Sequence, residues 1–324
     1  VRAIVHDSYG PPEILRVEEL PRPVPGSGEV LVRIHAAGVD PGVWHLTTGK
    51  PYLVRALGFG LRAPKLRIRG LDLAGVVEAV GPGVSRFAPD DEVYGTCDGS
   101  YAEYATTSQD RLARKPAGLT FEQAAAVPVS GCTALQALRD SGRLQSGGRV
   151  LVLGASGGVG SFAVQLAKAS GAHVTGVCSP GKADLVRALG ADEVVDYTRD
   201  DPTDGPGRYD LVLDAGGNRT LGRLRRILAP GGTLVLVGGE SGGNWTGGFD
   251  RQLRAVLLPP IGGRRVRAVA GKPNHDDLAA LADLVEAGSV VPALDRSYGM
   301  DEAADAINDL MKGHVRGKAV IRIG

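Results

Sequence analysis

The residues best suited to chemistry form one run, Val150-Leu151-Val152-Leu153-Gly154-Ala155-Ser156-Gly157-Gly158-Val159-Gly160. Apolar residues of strand character feed a turn of glycine and small residues. An amphipathic helical pattern with Phe162, Leu166 and Ala167 follows. The glycines permit a tight turn and let backbone N–H groups close on a pyrophosphate, and the start of a helix adds unpaired donors and partial positive charge. Gly160 lets the helix pack closely on the strand. The spacing Gly154, Ser156 or Gly157, Gly160 is a variant of the dinucleotide fingerprint, which carries weight only in a strand–turn–helix context; this run has that context. It predicts a phosphate loop of Gly154, Ala155, Ser156, Gly157, Gly158, Val159 and Gly160 rather than an ordinary glycine-rich turn.

A second stretch selects among dinucleotides. Where the ribose carries a free 2′-hydroxyl, an Asp or Glu ending the next strand accepts its hydrogen bond. Here that strand, residues 173–177, runs into Cys178-Ser179-Pro180-Gly181-Lys182, with no carboxylate. Ser179 can donate to a phosphate and Lys182 brings a point charge. The alternative is that Lys182 only opens a solvated helix. The expected cofactor is NADP(H) in preference to NAD(H).

A loop of this kind needs a sheet beneath it. From residue 120 onward strands and helices alternate. A helical stretch begins at 121 and runs past Pro128 to 138; strands are expected at 149–153, 173–178, 193–196, 209–214 and 233–237, with helices at 159–170, 182–189 and 220–228 between them. Such βαβ alternation implies a parallel sheet covered on both faces. The pattern closes with helices at 278–287 and 300–312 and strands at 291–298 and 318–323. The first third differs: short apolar runs at 3–6, 30–36 and 74–80 are punctuated by Pro11, Pro12, Pro21, Pro23, Pro25 and Gly26, the look of a turn-rich β unit. Residues 52–69 stand apart as apolar yet cationic, with Arg55, Arg62, Lys65, Arg67 and Arg69 among them. They read equally as a lid-like loop beside the active cleft or as a surface helix whose arginines snorkel.

Composition bounds the function. At 324 residues the chain is too long for one ordinary core and suits two domains. A formal net charge of +1 with no basic run gives nucleic acid binding no electrostatic support. No stretch is apolar and long enough to span a bilayer, so no membrane partner is expected. The start of the chain, with His6 and Asp7, does not read as a signal peptide, and a cytoplasmic location is expected. Cys97, Cys132 and Cys178 are odd in number and far apart, which argues for reduced thiols.

Several stretches together resemble the zinc-free quinone oxidoreductase branch of the medium-chain dehydrogenase/reductase family: Gly38-Val39-Asp40, Gly70-Leu71-Asp72-Leu73-Ala74-Gly75, Asp91-Glu92-Val93-Tyr94-Gly95, Ala124-Ala125-Ala126-Val127-Pro128, the Gly154 loop, Leu189-Gly190-Ala191-Asp192 and Gly313-His314-Val315-Arg316-Gly317-Lys318. Trp44-His45 and the loop from Tyr52 look similar to the reticulon-interacting oxidoreductase subgroup. The resemblance implies an α/β chain: a GroES-like, β-rich catalytic domain of residues 1–125 and 272–324, with a Rossmann doubly wound parallel-sheet domain of residues 126–271 between its two parts. It implies a cofactor in the cleft and a homodimer formed through the Rossmann sheet edge. By motif match, Ser179, Lys182 and Tyr197 would hold the 2′-phosphate. Thr133, Gly217, Asn218, Gly238 and Gly239 would line the nicotinamide side, and Arg316 with His314 would reach back from the tail.

Zinc-using relatives place a Cys after Gly-Val and a His-Glu pair after the later glycine; here those positions read Asp40 and Leu71-Asp72. Their third ligand, a Cys, falls near Val129, three residues before Cys132, and their structural zinc lobe needs four close cysteines where only Cys97 stands. A catalytic zinc needs three converging ligands, and Leu71 cannot be one, so no metal is expected. A non-standard site of Asp40, His45 and Asp72 is the remaining metal reading.

Without a Lewis acid, an electrophile that already accepts hydride readily is the better substrate, and quinones and α,β-unsaturated carbonyls qualify. Asp40, His45 and Tyr52 are the candidate catalytic residues: Asp40 for positioning, His45 as a group titrating near neutrality, Tyr52 as a hydrogen-bond donor to a carbonyl. Water is the other proton source. Two competing functions stay open, a zinc-dependent alcohol dehydrogenase and a non-catalytic NADPH-binding sensor or structural protein.

Overall fold

The computed structural model describes residues 1–204, 208–238, 243–257, 259 and 262–324. The chain divides into two compact units, Val1–Cys132 with Lys272–Gly324, and Thr133–Gly271.

The first unit is organised by one long strand. Besides the antiparallel pair β1 (Arg2–Val5) and β2 (Arg16–Glu19), it contains β3 (Glu29–Val39), β4 (Asp72–Val80), β5 (Glu92–Thr96), β6 (Tyr104–Ser108) and β7 (Leu112–Arg114). The chain's end returns to this sheet with β14 (Leu294–Tyr298) and β15 (Lys318–Arg322), giving the order β14-β15-β3-β4-β5-β7, with β6 also on β3. One strand serves three partners because it is bulged. Register shifts at Leu31/Val32 and Ile34/Ala36 bend β3, so that Glu29–Arg33 faces β6 while Ala36–Val39 faces β15. Val30, Val32, Ile34, Leu73, Val77, Val93 and Leu112 share a core with Ile307, Ala319 and Ile321 from the chain's end. Each buried Val, Leu or Ile contributes about 2 kcal/mol, which joins the two distant segments into one unit. The Tyr94 hydroxyl, buried on β5, donates to the Leu278 carbonyl at 2.5 Å.

The second unit is an all-parallel sheet of β8 (Arg149–Leu153), β9 (His173–Cys178), β10 (Glu193–Asp196), β11 (Tyr209–Asp214), β12 (Leu228–Leu236) and β13 (Arg265–Ala268). Its order is β10-β9-β8-β11-β12-β13. The winding reverses at β8, flanked by β9 and β11, and such a switch point is where open α/β sheets bind ligands at their carboxyl ends.

Several expectations need adjustment. The helical stretch 121–138 is two helices, Phe121–Ala125 and Pro128–Gln136. Pro128 has no N–H to continue the first and disfavours helical geometry at Val127, but suits the first position of the second. The first unit keeps residues 126–132, beyond the expected boundary at 125/126: the Val129 amide donates to Asp72, and a side chain at Gly131 would meet Leu281 at 3.0 Å. β12 begins at Leu228, before the expected 233, because Gly231 at φ 79° carries the strand across a break in the apolar pattern. β2, β5, β6, β7 and β13 lie outside the expected strands; Arg265-Val266-Arg267-Ala268 has one buried residue and so no apolar run to read. Residues 52–69 form a short helix, Tyr52–Val54, widened through Arg55–Phe59 and ended by Gly58 at φ 111°; the surface-helix reading fails beyond that point.

Candidate active site

In the second unit the glycine loop follows β8 directly. Gly154 sits at φ 78°, where a β-carbon is strained, and the Ala155 amide donates to the Val177 carbonyl of β9 at 3.0 Å. Gly157 caps the helix Gly158–Ala169, whose first turn holds no acidic residue. The first bond of that helix runs from Ser161 N to Gly157 O, so the amides of Gly158, Val159 and Gly160 have no partner within it. That is a set of donors for an anion. At Gly160 a β-carbon would lie 2.1 Å from the Gly154 carbonyl oxygen, so only glycine fits. Ala155 and Ser156 are buried beside them.

Neighbouring strand ends complete the rim. β11 ends at Asp214, fully buried, whose Oδ1 accepts from the amides of Gly216 and Gly217 and whose Oδ2 pairs with Arg251. The turn held this way lies against Gly154, where a β-carbon would meet Gly216 N at 3.2 Å. Gly238, half-buried after β12, faces the Ala215 carbonyl. Asn218 is exposed, Thr133 is buried under Gly271, and Gly239 lies outside the described residues.

Ser179, Lys182 and Tyr197 come together at the ends of β9 and β10. The Lys182 amide donates to the Ser179 carbonyl at 3.0 Å, closing a short turn, and the Tyr197 amide reaches the Cys178 carbonyl at 3.4 Å. The nearby carboxylate of Asp196 caps its own turn, accepting from the Thr198 amide at 2.9 Å and hydroxyl at 2.7 Å. These bonds hold its carboxyl below the usual range.

The first unit holds the other candidates. Asp40 is buried and caps the helix Pro41–Thr48, its Oδ1 accepting from Gly42 N at 2.8 Å. Its Oδ2 is buried with no hydrogen-bond partner among the described residues, an expensive state for a carboxylate oxygen. His45 Nδ1 lies 2.7 Å from the Lys50 carbonyl; a carbonyl only accepts, so Nδ1 carries the hydrogen and the lone pair of the neutral ring is on Nε2. Tyr52 is partly exposed, with the Arg55 guanidinium 5.0 Å from its ring centroid. His314 is exposed and pairs with Asp309, and the Arg316 amide donates to Asp295.

Sequence reasoning missed the charged pair at the centre of this unit. Asp72 and Lys318 are sealed from solvent and paired at 3.2 Å, and Asp72 Oδ1 also accepts from the Val129 amide at 2.8 Å. Burial pushes the Asp72 carboxyl up, to about 6, against the opposing pull of Lys318. Burial also raises the Tyr101 hydroxyl, with Asp40 and Asp72 as its neighbouring charges, and it donates to the Gly38 carbonyl at 3.3 Å. The signal was present: a charge inside an apolar strand needs a buried partner. The Asp214–Arg251 pair was missed for lack of the same question. At the positions where zinc-dependent relatives place ligands, Leu71 offers none and both Asp72 oxygens are engaged. Among the described residues no group of three or more His, Cys, Asp or Glu is arranged to hold a metal ion.

A doubly wound parallel sheet with a glycine phosphate loop, in one chain with a bulged β unit, defines the class of two-unit nicotinamide-dependent oxidoreductases. The chain matches the family described as alcohol dehydrogenase GroES-like domain over residues 26–117 and that described as zinc-binding dehydrogenase over residues 189–321. It is 33% identical to the mitochondrial NAD(P)H oxidoreductase RTN4IP1 of Mus musculus, covering 99% of this chain and 89% of the relative. It is 32% identical to the 2-methylene-furan-3-one reductase of Solanum lycopersicum, covering 99% of this chain and 79% of the relative. Among solved structures, the quinone oxidoreductase from Coxiella burnetii superposes with a TM-score of 0.85 at 29% identity, covering 100% of this chain and 99% of the other. The chain belongs to the medium-chain dehydrogenase/reductase family, in its quinone-oxidoreductase-like branch.

Proposed function

We propose that this protein is an NADPH-dependent reductase that delivers hydride to quinones or α,β-unsaturated carbonyls without a metal. The observation that carries the cofactor choice is the end of β9: Ser179, Lys182 and Tyr197 gather there, and the carboxylate that ends β10, Asp196, is turned into its own loop. A 2′-phosphate meets a hydroxyl and a cation in that corner, whereas residues 178–182 offer no carboxylate to a 2′-hydroxyl. The relatives named as quinone oxidoreductase and as 2-methylene-furan-3-one reductase support the substrate class.

In this reading the amides of Gly158, Val159 and Gly160 hold the pyrophosphate, and Thr133, Gly217, Asn218 and Gly238 line the nicotinamide side. The reduced nicotinamide, when bound, supplies the hydride. Asp40 Oδ2, a buried acceptor without a partner among the described residues, positions a bound hydroxyl or amide. His45 can give a proton from Nε2 only as the imidazolium, because its Nδ1 hydrogen is committed to Lys50. Tyr52 is the hydrogen-bond donor to the substrate carbonyl. The donor set does not fit catalytic zinc: Leu71 has no ligand atom and Asp72 is spent on Lys318 and Val129.

The same reading includes a homodimer, supported by β13 as an edge strand paired only to β12 among the described residues. It includes a cytoplasmic location, in keeping with three buried cysteines that form no disulfide. The test is a panel of quinones, enones and aldehydes with NADPH and NADH in parallel, before and after chelation. The reading expects quinone- or enone-dependent oxidation of NADPH that survives chelation. Bound stoichiometric zinc with chelator-sensitive aldehyde reduction would replace it with an alcohol dehydrogenase. Tight NADPH binding without turnover would replace it with a sensor.

A further inference from the structure

Six of the twelve large hydrophobic side chains exposed among the described residues fall in one short stretch: Tyr52, Leu53, Leu57, Phe59, Leu61 and Leu66. Leu57 is 59%, Phe59 44% and Leu61 73% exposed. Single exposed apolar residues are ordinary, but a cluster on one loop marks a surface meant to be covered.

The loop is built to present them. The Tyr9 hydroxyl shares its one hydrogen between the Phe59 carbonyl at 3.0 Å and the Gly60 carbonyl at 2.8 Å, and the Lys65 amide returns to Phe59 O at 3.0 Å. Arg55 Nε donates to Gly49 O at 2.9 Å while its guanidinium lies over the Tyr9 and Tyr52 rings. Gly60, at φ 115°, turns so tightly that a β-carbon would lie 2.0 Å from the Ala63 carbonyl oxygen.

The charge around these side chains is one-sided. Residues 41–71 contain six Lys and Arg and no Asp or Glu, in a chain whose net charge is only +1. The inner cations are answered locally: Arg67 pairs with Asp7 and Glu18, and Arg69 is buried against His6. Arg62 and Lys65, beside Leu61 and Leu66, are exposed with no ion-pair partner among the described residues.

We propose that residues 52–66 dock on an anionic lipid surface, with Leu57, Phe59 and Leu61 at the acyl boundary and Arg62 and Lys65 among the headgroups. A second copy fits less well, since a two-fold contact through this face sets Arg62 and Lys65 against their own mates. An anionic bilayer answers both the apolar and the cationic half of the pattern. The expectation of no membrane partner rested on the absence of a spanning segment, and lying on a surface needs none. The proposal does not depend on the cofactor or substrate reading.

The test is sedimentation of the whole chain with vesicles of phosphatidylglycerol and phosphatidylcholine in equal parts, against phosphatidylcholine alone, at low and high salt. The expected result is about tenfold more protein on the anionic vesicles at low salt, falling as salt screens the headgroups. Leu57→Ser/Phe59→Ser/Leu61→Ser and Arg62→Glu/Lys65→Glu should each abolish it while keeping the parent's thermal midpoint. Absence of vesicle binding, equal binding to neutral vesicles, or variants that bind like the parent would overturn the proposal. So would concentration-dependent self-association lost in the apolar variant, since the surface would then belong to a second copy.

Discussion

Lys318 Nζ stands 3.2 Å from Asp72 Oδ2, the one on a strand from the end of the chain and the other on a strand from its first third, and neither side chain reaches water. The pair ties β15 and β4 across β3, which pairs with both. Removing one member leaves an uncompensated buried charge, whereas removing both does not. Lys318→Met or Asp72→Asn alone should cost about 3–5 kcal/mol in chemical denaturation, and the double variant clearly less than the sum. Additive losses would mean the two charges do not depend on each other.

The glycine loop predicts a sharp contrast between two glycines. Gly160→Ala puts a methyl group 2.1 Å from the Gly154 carbonyl, so backbone must shift, whereas at Gly181 nothing lies within 4 Å of the added carbon. Gly160→Ala should weaken dinucleotide binding about tenfold or more by fluorescence titration, and Gly181→Ala should leave the protein folded with near-parental affinity. Equal behaviour of the two would argue against close packing of helix on strand as the reason for Gly160.

His6 makes stability depend on pH. It is fully buried, donates from Nδ1 to the Ser8 carbonyl at 3.0 Å, and accepts from Arg69 at Nε2, so the fold holds it neutral. Burial, then Arg69, lowers it to about 4. The unfolded chain therefore takes up this proton first, and stability present above pH 6.5 is lost as pH falls toward 4. The loss is on the order of 2–3 kcal/mol. Asp72 works oppositely: its carboxyl is raised to about 6, so its protonation favours the fold as pH falls through that value. His6→Gln keeps an acceptor for Arg69 and titrates nothing. Urea midpoints from pH 7.5 to 4.5 should fall more steeply in the parent than in this variant, and parallel curves would remove His6 as the cause.

Much of the second unit was legible in the sequence because its inner strands β8, β9 and β11 are almost wholly buried. The apolar runs at 149–153, 173–178, 193–196 and 209–214 became β8, β9, β10 and β11 with the bounds read from sequence. β13 was not legible as an apolar run, since Arg265 and Arg267 interrupt it. The glycine loop was legible because its backbone conformation demands a residue type. Asp72 was weighed only as a metal ligand and Lys318 quoted only within a longer match, because the pairing of two charges across 246 residues of sequence has no local signature. Asp40 was singled out for chemistry; its Oδ1 as a helix cap follows from the Pro41 that comes after it, a signal present but unused.

The central claim is that the corner of Ser179, Lys182 and Tyr197 recognises a 2′-phosphate. Its most direct test is the ratio of NADPH to NADH dissociation constants, measured by titration of protein fluorescence in the parent and in Lys182→Ala. The account predicts NADPH bound about tenfold or more tightly in the parent, with most of that preference lost in the variant through weaker NADPH binding while NADH binding hardly moves. Equal affinities in the parent, or a variant that weakens both dinucleotides alike, would contradict it.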